Sequence, residues 1–343
     1  MTIPSPIDHM WDLGSAAMAL AVCNDSGTVL VGTAEGIAHK MRFDDNHAEQ
    51  VELHQGSTLS FIRGFEPGSF IAGGDDGRLV RLDDQRITEL AKHKGKWIEH
   101  LAVASKARQL FYAFGKELHR LREDGTSAGA PWVQPSTIGG IALHPQEKRL
   151  AVAQYNHVSV YPLNAKHAEP LKLPWGGAHI HCLWHPAGDI VVTTMQEAAL
   201  HGWRLTDKAE MRMQGYESKV ESIAFMEGGR YLASAGSRQI ICWPFFGGGP
   251  WGKAPLTVGA DTGGVATILA AHSKDPLLAV GYENGTLHLV PLYEGNPLPL
   301  LRESGDRISV LQWTGDGRQL YAGTEGGRFY RFTVESVSAV YGG

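Results

Sequence analysis

Residues 306–332 read DRISVLQWTGDGRQLYAGTEGGRFYRF, three short apolar runs separated by two glycine-bearing turns. The turns lie at residues 315–317 and 325–327, where glycine supplies the positive φ that tight hairpins need. The stretch is therefore predicted to form three antiparallel strands. Such a unit is stable only when further copies pack against it, so the number of copies decides the fold.

The same pattern recurs along the whole chain. The first residues of the middle strands are Leu30, Phe70, Leu110, Leu150, Ile190, Tyr231, Leu277 and Leu320, so eight copies follow one another at spacings of 40 to 46 residues. This period, with several short strands per copy, is typical of a β-propeller with four-stranded blades. We predict an all-β fold in which residues 1–343 form one closed propeller domain. It has eight blades, or seven if the weak third copy is not a full blade.

The ends of the chain are predicted to close this ring. Residues 7–13 (IDHMWDL) precede the first copy where a fourth strand belongs, and they have no three strands of their own before them. We expect them to pair with the last copy, which would remove two open sheet edges. The tail, residues 334–341, is the alternative source of this strand.

Composition limits the possible functions. The 343 residues carry a formal charge of −5 without a basic cluster, which argues against nucleic acid as a partner. No stretch approaches the roughly 18 apolar residues of a membrane span, and the first residues lack the pattern of a secretory signal. Cys23, Cys182 and Cys242 lie in apolar runs at wide spacing and are expected to be buried free thiols. These features predict a cytoplasmic protein without a membrane or nucleic-acid partner, and we expect a monomer.

Enzyme signatures are absent from the sequence, which has no GxxxxGK[ST] phosphate loop, no GxSxG turn and no HExxH helix motif. Glu99 and Glu221 hold matching positions in two first strands and are the candidate carboxylates of a calcium-dependent channel hydrolase. A calcium site needs several converging oxygen ligands, and this set is sparse. We therefore predict that the protein is not an enzyme and has no cofactor, and we keep the hydrolase as an alternative.

Three segments carry a family resemblance: residues 139–153 (GGIALHPQEKRLAVA), 220–243 (VESIAFMEGGRYLASAGSRQIICW) and 309–329 (SVLQWTGDGRQLYAGTEGGRF). With these motifs the chain resembles the WD-repeat (WD40) family of β-propellers, and the resemblance covers nearly all of it. The Trp-Asp ending of the family is replaced by Trp203-Arg204 and Trp243-Pro244, and the Gly-His pair is missing from most copies.

The resemblance also implies a partial version of the family's buried Asp–His–Ser/Thr–Trp network. Thr194 with Trp203 and Ser234 with Trp243 match the Ser/Thr and Trp positions, and no Asp is evident.

A finer likeness lies at residues 242–255 (CWPFFGGGPWGKAP) and 280–292 (VGYENGTLHLVPL). These segments are similar to a group of bacterial WD-repeat proteins typically found beside zinc-metallochaperone GTPases of the CobW type. The likeness implies a second function hypothesis, an accessory factor in zinc homeostasis whose partner is such a GTPase.

Our leading hypothesis is a non-catalytic scaffold that binds a partner protein, of unknown identity, through its rim. In the family that the chain resembles, the loops before the first strands and the turns between second and third strands emerge on one face. The candidate rim residues are Thr58, Lys96, Trp97, Thr137, His179, Lys219 and Arg307 in the loops and Glu35, Asp75, Asp76, Glu283 and Glu325 in the turns. Trp97 is the expected anchor because Trp dominates interface hot spots, and the acidic turns favour a basic partner.

The glycine-rich residues 247–250 offer an alternative binding loop, because aromatic side chains flank them. Phe246 and Trp251 would contact a partner there. The competing interpretation is that Trp243 and Phe245 belong to the core and that the rest folds back on its own blade.

His179 and His181 are weak metal candidates in the densest histidine and cysteine cluster of the sequence, which also includes Cys182 and His185. Strand alternation is expected to place both on one face and Cys182 on the other, so one strand cannot supply a tetrahedral zinc site. We therefore predict no metal site.

Overall fold

A computed structural model describes residues 7–84, 86–164, 169–293 and 295–334 of the chain. The described residues form thirty β-strands and a single turn of 3-10 helix, Glu227–Gly229. The chain divides into two compact units, a terminal unit (Met1–Ala17 with Met213–Gly343) and a central unit (Met18–Arg212). That residues 1–343 form one domain stays a prediction.

The strands are short, mostly four to seven residues. In chain order, the first fifteen are β1 (Ile7–Asp12), β2 (Ala17–Cys23), β3 (Thr28–Thr33), β4 (Ile37–Arg42), β5 (Ala48–Glu52), β6 (Thr58–Arg63), β7 (Ser69–Gly74), β8 (Arg78–Asp83), β9 (Arg86–Lys92), β10 (His100–Ala104), β11 (Gln109–Phe114), β12 (Glu117–Arg122), β13 (Trp132–Val133), β14 (Ile138–Leu143) and β15 (Arg149–Pro162). The others are β16 (Leu171–Trp184), β17 (Ile190–Met195), β18 (Ala199–Arg204), β19 (Ala209–Gln214), β20 (Ile223–Met226), β21 (Tyr231–Ser234), β22 (Ile240–Pro244), β23 (Leu256–Val258), β24 (Ala266–Ala271), β25 (Leu277–Tyr282), β26 (Leu287–Pro291), β27 (Leu298–Leu301), β28 (Ile308–Trp313), β29 (Gln319–Thr324) and β30 (Arg328–Thr333).

The strands pair into sheets of the type predicted for propeller blades. Six sheets have four strands each: β2–β5, β6–β9, β10–β13, β20–β23, β24–β27, and β28–β30 with β1. The all-β class and the four-stranded blades are therefore confirmed.

The prediction of eight separate blades is not met by the described residues. The described residues form seven sheets, because β14–β19 belong to a single six-stranded sheet. At the fourth copy, Tyr155-Asn156 stands where most other copies have a glycine-bearing turn. Asn156 takes a positive φ of 67°, and the N–H of Leu163 donates to the carbonyl of Lys148 at 3.0 Å, so the chain reverses direction within β15. Tyr155 also pairs with Ala178 of β16, and this pairing joins the neighbouring strands into one sheet. The expectation that seven would result from a weak third copy is wrong, since β10–β13 form a sheet of their own.

The N-terminal strand pairs with the last repeat. Strand β1 lies antiparallel to β30, with Trp11 opposite Phe329, and the N–H of Leu13 donates to the carbonyl of Gly327 at 2.8 Å. The other neighbour of β30 is β29, so β1 is the fourth strand of this sheet. The alternative strand, residues 334–341, lies outside the described residues after Val334. Closure of a complete ring stays a prediction.

Several second strands are fully buried. β3, β7, β17 and β25 are buried at every residue, as expected for apolar strands covered on both faces. In the central unit the first two sheets share a cluster that includes Leu30, Leu53, Phe70, Val80 and Leu82. In the terminal unit a cluster joins its last two sheets through Leu277, Leu289, Trp313, Leu320 and Phe332. Each such side chain contributes about 1.5–3 kcal/mol by leaving water.

Close strand approach requires glycine at one position of the six-stranded sheet. A Cβ on Gly139 of β14 would lie 2.2 Å from the carbonyl oxygen of His179 and 2.9 Å from the Cα of Ile180. Any side chain there would push β14 away from β16.

Candidate interaction surfaces

Four connecting segments form one continuous edge of the central unit, which we call the central rim: residues 34–36, 54–57, 75–77 and 93–97. Each segment is hydrogen-bonded to the next. The N–H of His54 donates to Gly36 O at 3.2 Å, that of Asp75 to Ser57 O at 3.1 Å, and that of His93 to Gly77 O at 2.8 Å. The rim therefore has a fixed backbone.

Trp97 lies at one end of the central rim and is 61% exposed. Its loop is fixed on both sides, since the N–H of Lys96 donates to His93 O and that of Ile98 to Gly74 O, each at 3.1 Å. The Lys96 side chain beside it is also exposed. A large aromatic ring held in water on a fixed backbone is typical of a binding anchor.

An acidic cleft lies at the other end of the central rim. It has a volume of about 520 Å³ and is lined by Glu35, Ile37, Gln50, Glu52, His54 and Gln55. Glu35 and Glu52 are exposed, and the described lining includes no lysine or arginine. The cleft therefore favours a cationic group.

Asp76 is a structural residue rather than a free rim carboxylate. Its Oδ1 accepts from Nδ1 of His54 and from the N–H of Arg78, and its Oδ2 accepts from the N–H of Gln55, each at 3.0 Å. Burial lowers the pKa of His54, so the ring is neutral at pH 7. Burial opposes ionisation of Asp76, but the N–H donors of Arg78 and Gln55 outweigh it and lower its pKa. Asp76 and His54 thus form the Asp–His part of the family's Asp–His–Ser/Thr–Trp network, for which no Asp was evident in the sequence.

The prediction that Thr58 and His179 are exposed on the rim is wrong, because both residues are buried. Thr58 begins β6 with its side chain against β3, so close that a Cβ on Gly32 would lie 2.7 Å from the Thr58 methyl carbon. His179 is also buried. Glu35, Lys96, Trp97, Thr137, Glu283 and Glu325 are exposed, and Asp75, Lys219 and Arg307 are half-buried.

The predicted rim charges of the terminal unit are engaged with one another. Glu221 forms ion pairs with Lys219 at 3.3 Å and with Arg307, and Arg307 Nε also lies 3.7 Å from Glu325. Glu283 accepts from the N–H of Val265 at 3.0 Å. Arg307 therefore partly offsets the charge of the Glu325 turn, and such exposed pairs add little stability.

The metal candidates do not share a face. A β-bulge between His179 and His181 interrupts the alternation of β16, which leaves His179 buried and His181 exposed. Burial lowers the pKa of His179, so its ring is neutral. Its Nε2 lies 3.1 Å from the carbonyl oxygen of Trp175, and its Nδ1 lies 2.8 Å from the Thr193 hydroxyl, which also lies 3.2 Å from the carbonyl oxygen of His201. Both nitrogens are therefore occupied, and the described residues hold no group of three or more potential ligands.

Thr193 replaces the predicted Thr194 as the hydroxyl partner in this sheet. The His179 ring lies 5.6 Å from Trp203, and His201 stacks on the ring of Trp175 at 3.9 Å and meets that of Trp203 edge-on at 4.6 Å. This histidine cluster is structural.

A second network, in the terminal unit, contains a residue that the sequence patterns missed. Trp243 Nε1 donates to the Tyr216 hydroxyl at 2.7 Å, and that hydroxyl lies 2.8 Å from Ser234 Oγ. Ser234 donates to the carbonyl of Ile241 at 2.8 Å, so Tyr216 must donate to Ser234. Ser234 and Trp243 are thus paired as predicted, through Tyr216. The sequence feature that could have identified Tyr216 is the pair Gly215-Tyr216, which stands in the place of the family's Gly-His pair.

The glycine-rich loop between β22 and β23 divides into a buried and an exposed part. Phe245 is buried and packs edge-to-face on Phe225 at 5.2 Å, so it belongs to the core, and Trp243 is half-buried and joins the network above. Phe246 and Trp251 are 43% and 39% exposed. The loop therefore meets the exposure that its alternative binding role requires.

Cys23, Cys182 and Cys242 are buried free thiols, as predicted. Burial raises the pKa of Cys182 and of Cys242 to about 12, which makes these two unreactive. Among the described residues no helix is long and apolar enough to cross a membrane.

Comparison with known families matches one segment of the chain to a family model. The family model described as WD domain, G-beta repeat matches residues 208–244, which include Tyr216, Ser234 and Trp243. No curated protein matches the chain.

Proposed function

Because this chain is a WD-repeat protein, we propose that it is a non-catalytic scaffold which binds a partner protein through the central rim. WD-repeat proteins are commonly interaction scaffolds, which supports the general role. The observation that carries the choice of surface is Trp97, whose exposed indole is fixed at its base by two backbone hydrogen bonds. A pre-organised ring loses little conformational entropy when a partner covers it.

The chemistry of the rim suggests what the partner presents. An apolar pocket or side chain would cover the indole of Trp97. A lysine or arginine would meet the carboxylates of the cleft, Glu35 and Glu52, with Asp75 between the two ends of the rim. Complementary charge of this kind contributes more to the association rate and the choice of partner than to affinity.

Affinity purification from the native cell tests this function. The full chain and its Trp97→Ala variant serve as baits, and Trp251→Ala is the matched control because it removes an exposed indole from the terminal unit. We expect at least one partner that the Trp97→Ala bait loses and the Trp251→Ala bait keeps. Recovery of the same proteins by all three baits would contradict binding at the central rim.

The zinc-homeostasis role with a metallochaperone GTPase stays a prediction that rests on residues 242–255 and 280–292. Co-purification of such a GTPase together with zinc in the purified protein would support it, and absence of both would remove it. The channel hydrolase also stays a prediction, to be tested with lactone and ester substrates in the presence and absence of calcium. The cytoplasmic location, the bacterial source and the monomeric state are predictions as well.

A further inference from the structure

The terminal unit carries an aromatic surface that shares no residue with the central rim. We propose that this surface, which we call the Phe246 patch, binds an acidic peptide segment of another protein. Its exposed members are Phe246, Trp251 and Tyr293, and Arg230 and Lys253 are its cations.

The patch has three aromatic side chains that are each more than a third exposed. Phe246, Trp251 and Tyr293 are 43%, 39% and 49% exposed. Tyr231 lies between two of them, with its ring centre 5.8 Å from that of Phe246 and 6.3 Å from that of Tyr293. The Tyr293 hydroxyl donates to Glu227, which fixes its ring. Neighbouring aromatic rings on one surface supply the area that binding hot spots use.

The loop that carries the patch is held in one conformation. Lys253 Nζ donates to the carbonyl of Phe246 and, at 2.7 Å, to that of Gly249, and its N–H donates to Pro250 O at 3.1 Å. Gly249 has a φ of +143°, and a Cβ there would lie 1.9 Å from the Trp251 ring. The ring therefore packs directly on the glycine backbone. Binding would not have to order this loop first, which favours affinity.

Charge on the patch indicates an acidic ligand. The Lys253 ammonium lies 4.5 Å from the centre of the Phe246 ring, and the Arg230 guanidinium lies 5.9 Å from it. Glu227 is the carboxylate beside them, 3.8 Å from Arg230 Nε, and it already accepts from Tyr293. The patch is thus locally cationic on a chain whose formal charge is −5. Apolar side chains of a peptide would cover the rings while its carboxylates meet Lys253 and Arg230.

Selection from a phage library of random 12-residue peptides on the full chain tests the proposal. Synthetic copies of the enriched peptides are then measured by fluorescence polarisation. We expect enriched peptides that join aspartate or glutamate to apolar residues. Trp251→Ala and Phe246→Ala should each weaken binding about tenfold or more. Lys253→Gln, or amide forms of the peptide carboxylates, should weaken binding a few-fold and reduce its salt dependence.

Two controls separate this surface from the central rim. Tyr155→Ala removes an exposed aromatic side chain of the central unit, and Trp97→Ala removes the proposed rim anchor; both should leave peptide binding unchanged. A Trp97→Ala variant that loses its protein partner but keeps the peptides would show that the two surfaces act separately.

Several outcomes would overturn the proposal. They are the absence of enriched peptides, enrichment of neutral or basic peptides, and equal binding by wild type and Trp251→Ala. Light scattering that shows a dimer lost in Trp251→Ala would instead assign the patch to a second copy of the chain. Trp251-dependent binding to phosphatidylcholine–phosphatidylglycerol vesicles would assign it to a lipid surface.

Discussion

Replacing Tyr216 by phenylalanine removes one oxygen atom from the network of the matched WD repeat. That hydroxyl accepts from Trp243 Nε1 at 2.7 Å and donates to Ser234 Oγ at 2.8 Å, and the ring carrying it is buried. The variant keeps the ring and its packing, so the measured change reports the hydrogen bonds.

The expected cost follows from the two lost bonds. Each contributes about 1 kcal/mol, so Tyr216→Phe should lower the free energy of unfolding by about 2 kcal/mol. Trp243 is half-buried and can regain a bond to water, which argues against a larger loss. If the whole chain of 343 residues unfolds together, its unfolding entropy of about 0.7 kcal/mol/K converts this loss to a fall in Tm of about 3 °C.

Urea and thermal unfolding followed by circular dichroism measure the effect, with Tyr155→Phe as the exposed control that should stay within about 0.5 kcal/mol of wild type. Ser234→Ala and the double variant complete a cycle, in which we expect a coupling of about 1 kcal/mol because the two residues share one bond. Tyr216→Phe as stable as wild type, or additive effects of the two substitutions, would refute the network.

Three further predictions concern a histidine, a glycine and an aspartate of the central unit. Burial lowers the pKa of His201 to about 3, so below pH 6.5 the unfolded chain takes up a proton at this residue while the folded chain does not, and stability falls. Part of the unfolding free energy that the wild type loses between pH 7 and pH 5, about 2 kcal/mol, should therefore be absent in His201→Phe. Urea unfolding at both pH values measures this difference. Gly139→Ala should lower the free energy of unfolding by about 3 kcal/mol because the new methyl group meets the backbone of β16. The control Gly176→Ala, whose Cβ would have nothing within 4 Å, should stay within about 1 kcal/mol of wild type. Similar Tm values for the two variants would contradict this packing. Asp76→Asn should lower the free energy of unfolding by about 1–2 kcal/mol because it weakens three hydrogen bonds. Asp75→Asn should leave it nearly unchanged. Thermal unfolding measures both, and a larger loss in Asp75→Asn would refute the structural role of Asp76.

Repeat spacing predicts the sheets well because each copy needs the same turns and the same buried second strand. Even the pairing of β1 with β30 follows from position, since residues 7–13 precede the first copy where a fourth strand belongs. Spacing does not predict the sheet count. The joining of strands into the six-stranded sheet depends on the pairing of Tyr155, beside the positive-φ residue Asn156, with Ala178 of β16, and the repeat period does not contain this pairing.

The site residues were harder to predict than the strands because small irregularities decide them. A single bulge in β16 separates His179 from His181, and strand alternation alone would have kept them together. Tyr216 fills a histidine position because the network needs a group that accepts from Trp243 and donates to Ser234, and a phenol does both. Exposure of Trp97 was predictable because its loop is short and polar around it.

Titration of the purified chain with the partner recovered by affinity purification tests the central claim most directly. With isothermal titration calorimetry, Trp97→Ala should weaken the dissociation constant about 30-fold, the loss of a hot-spot residue, while Trp251→Ala should leave it within twofold. A Trp97→Ala protein that folds normally and binds the partner as tightly as wild type would contradict the assignment of the central rim as the binding surface.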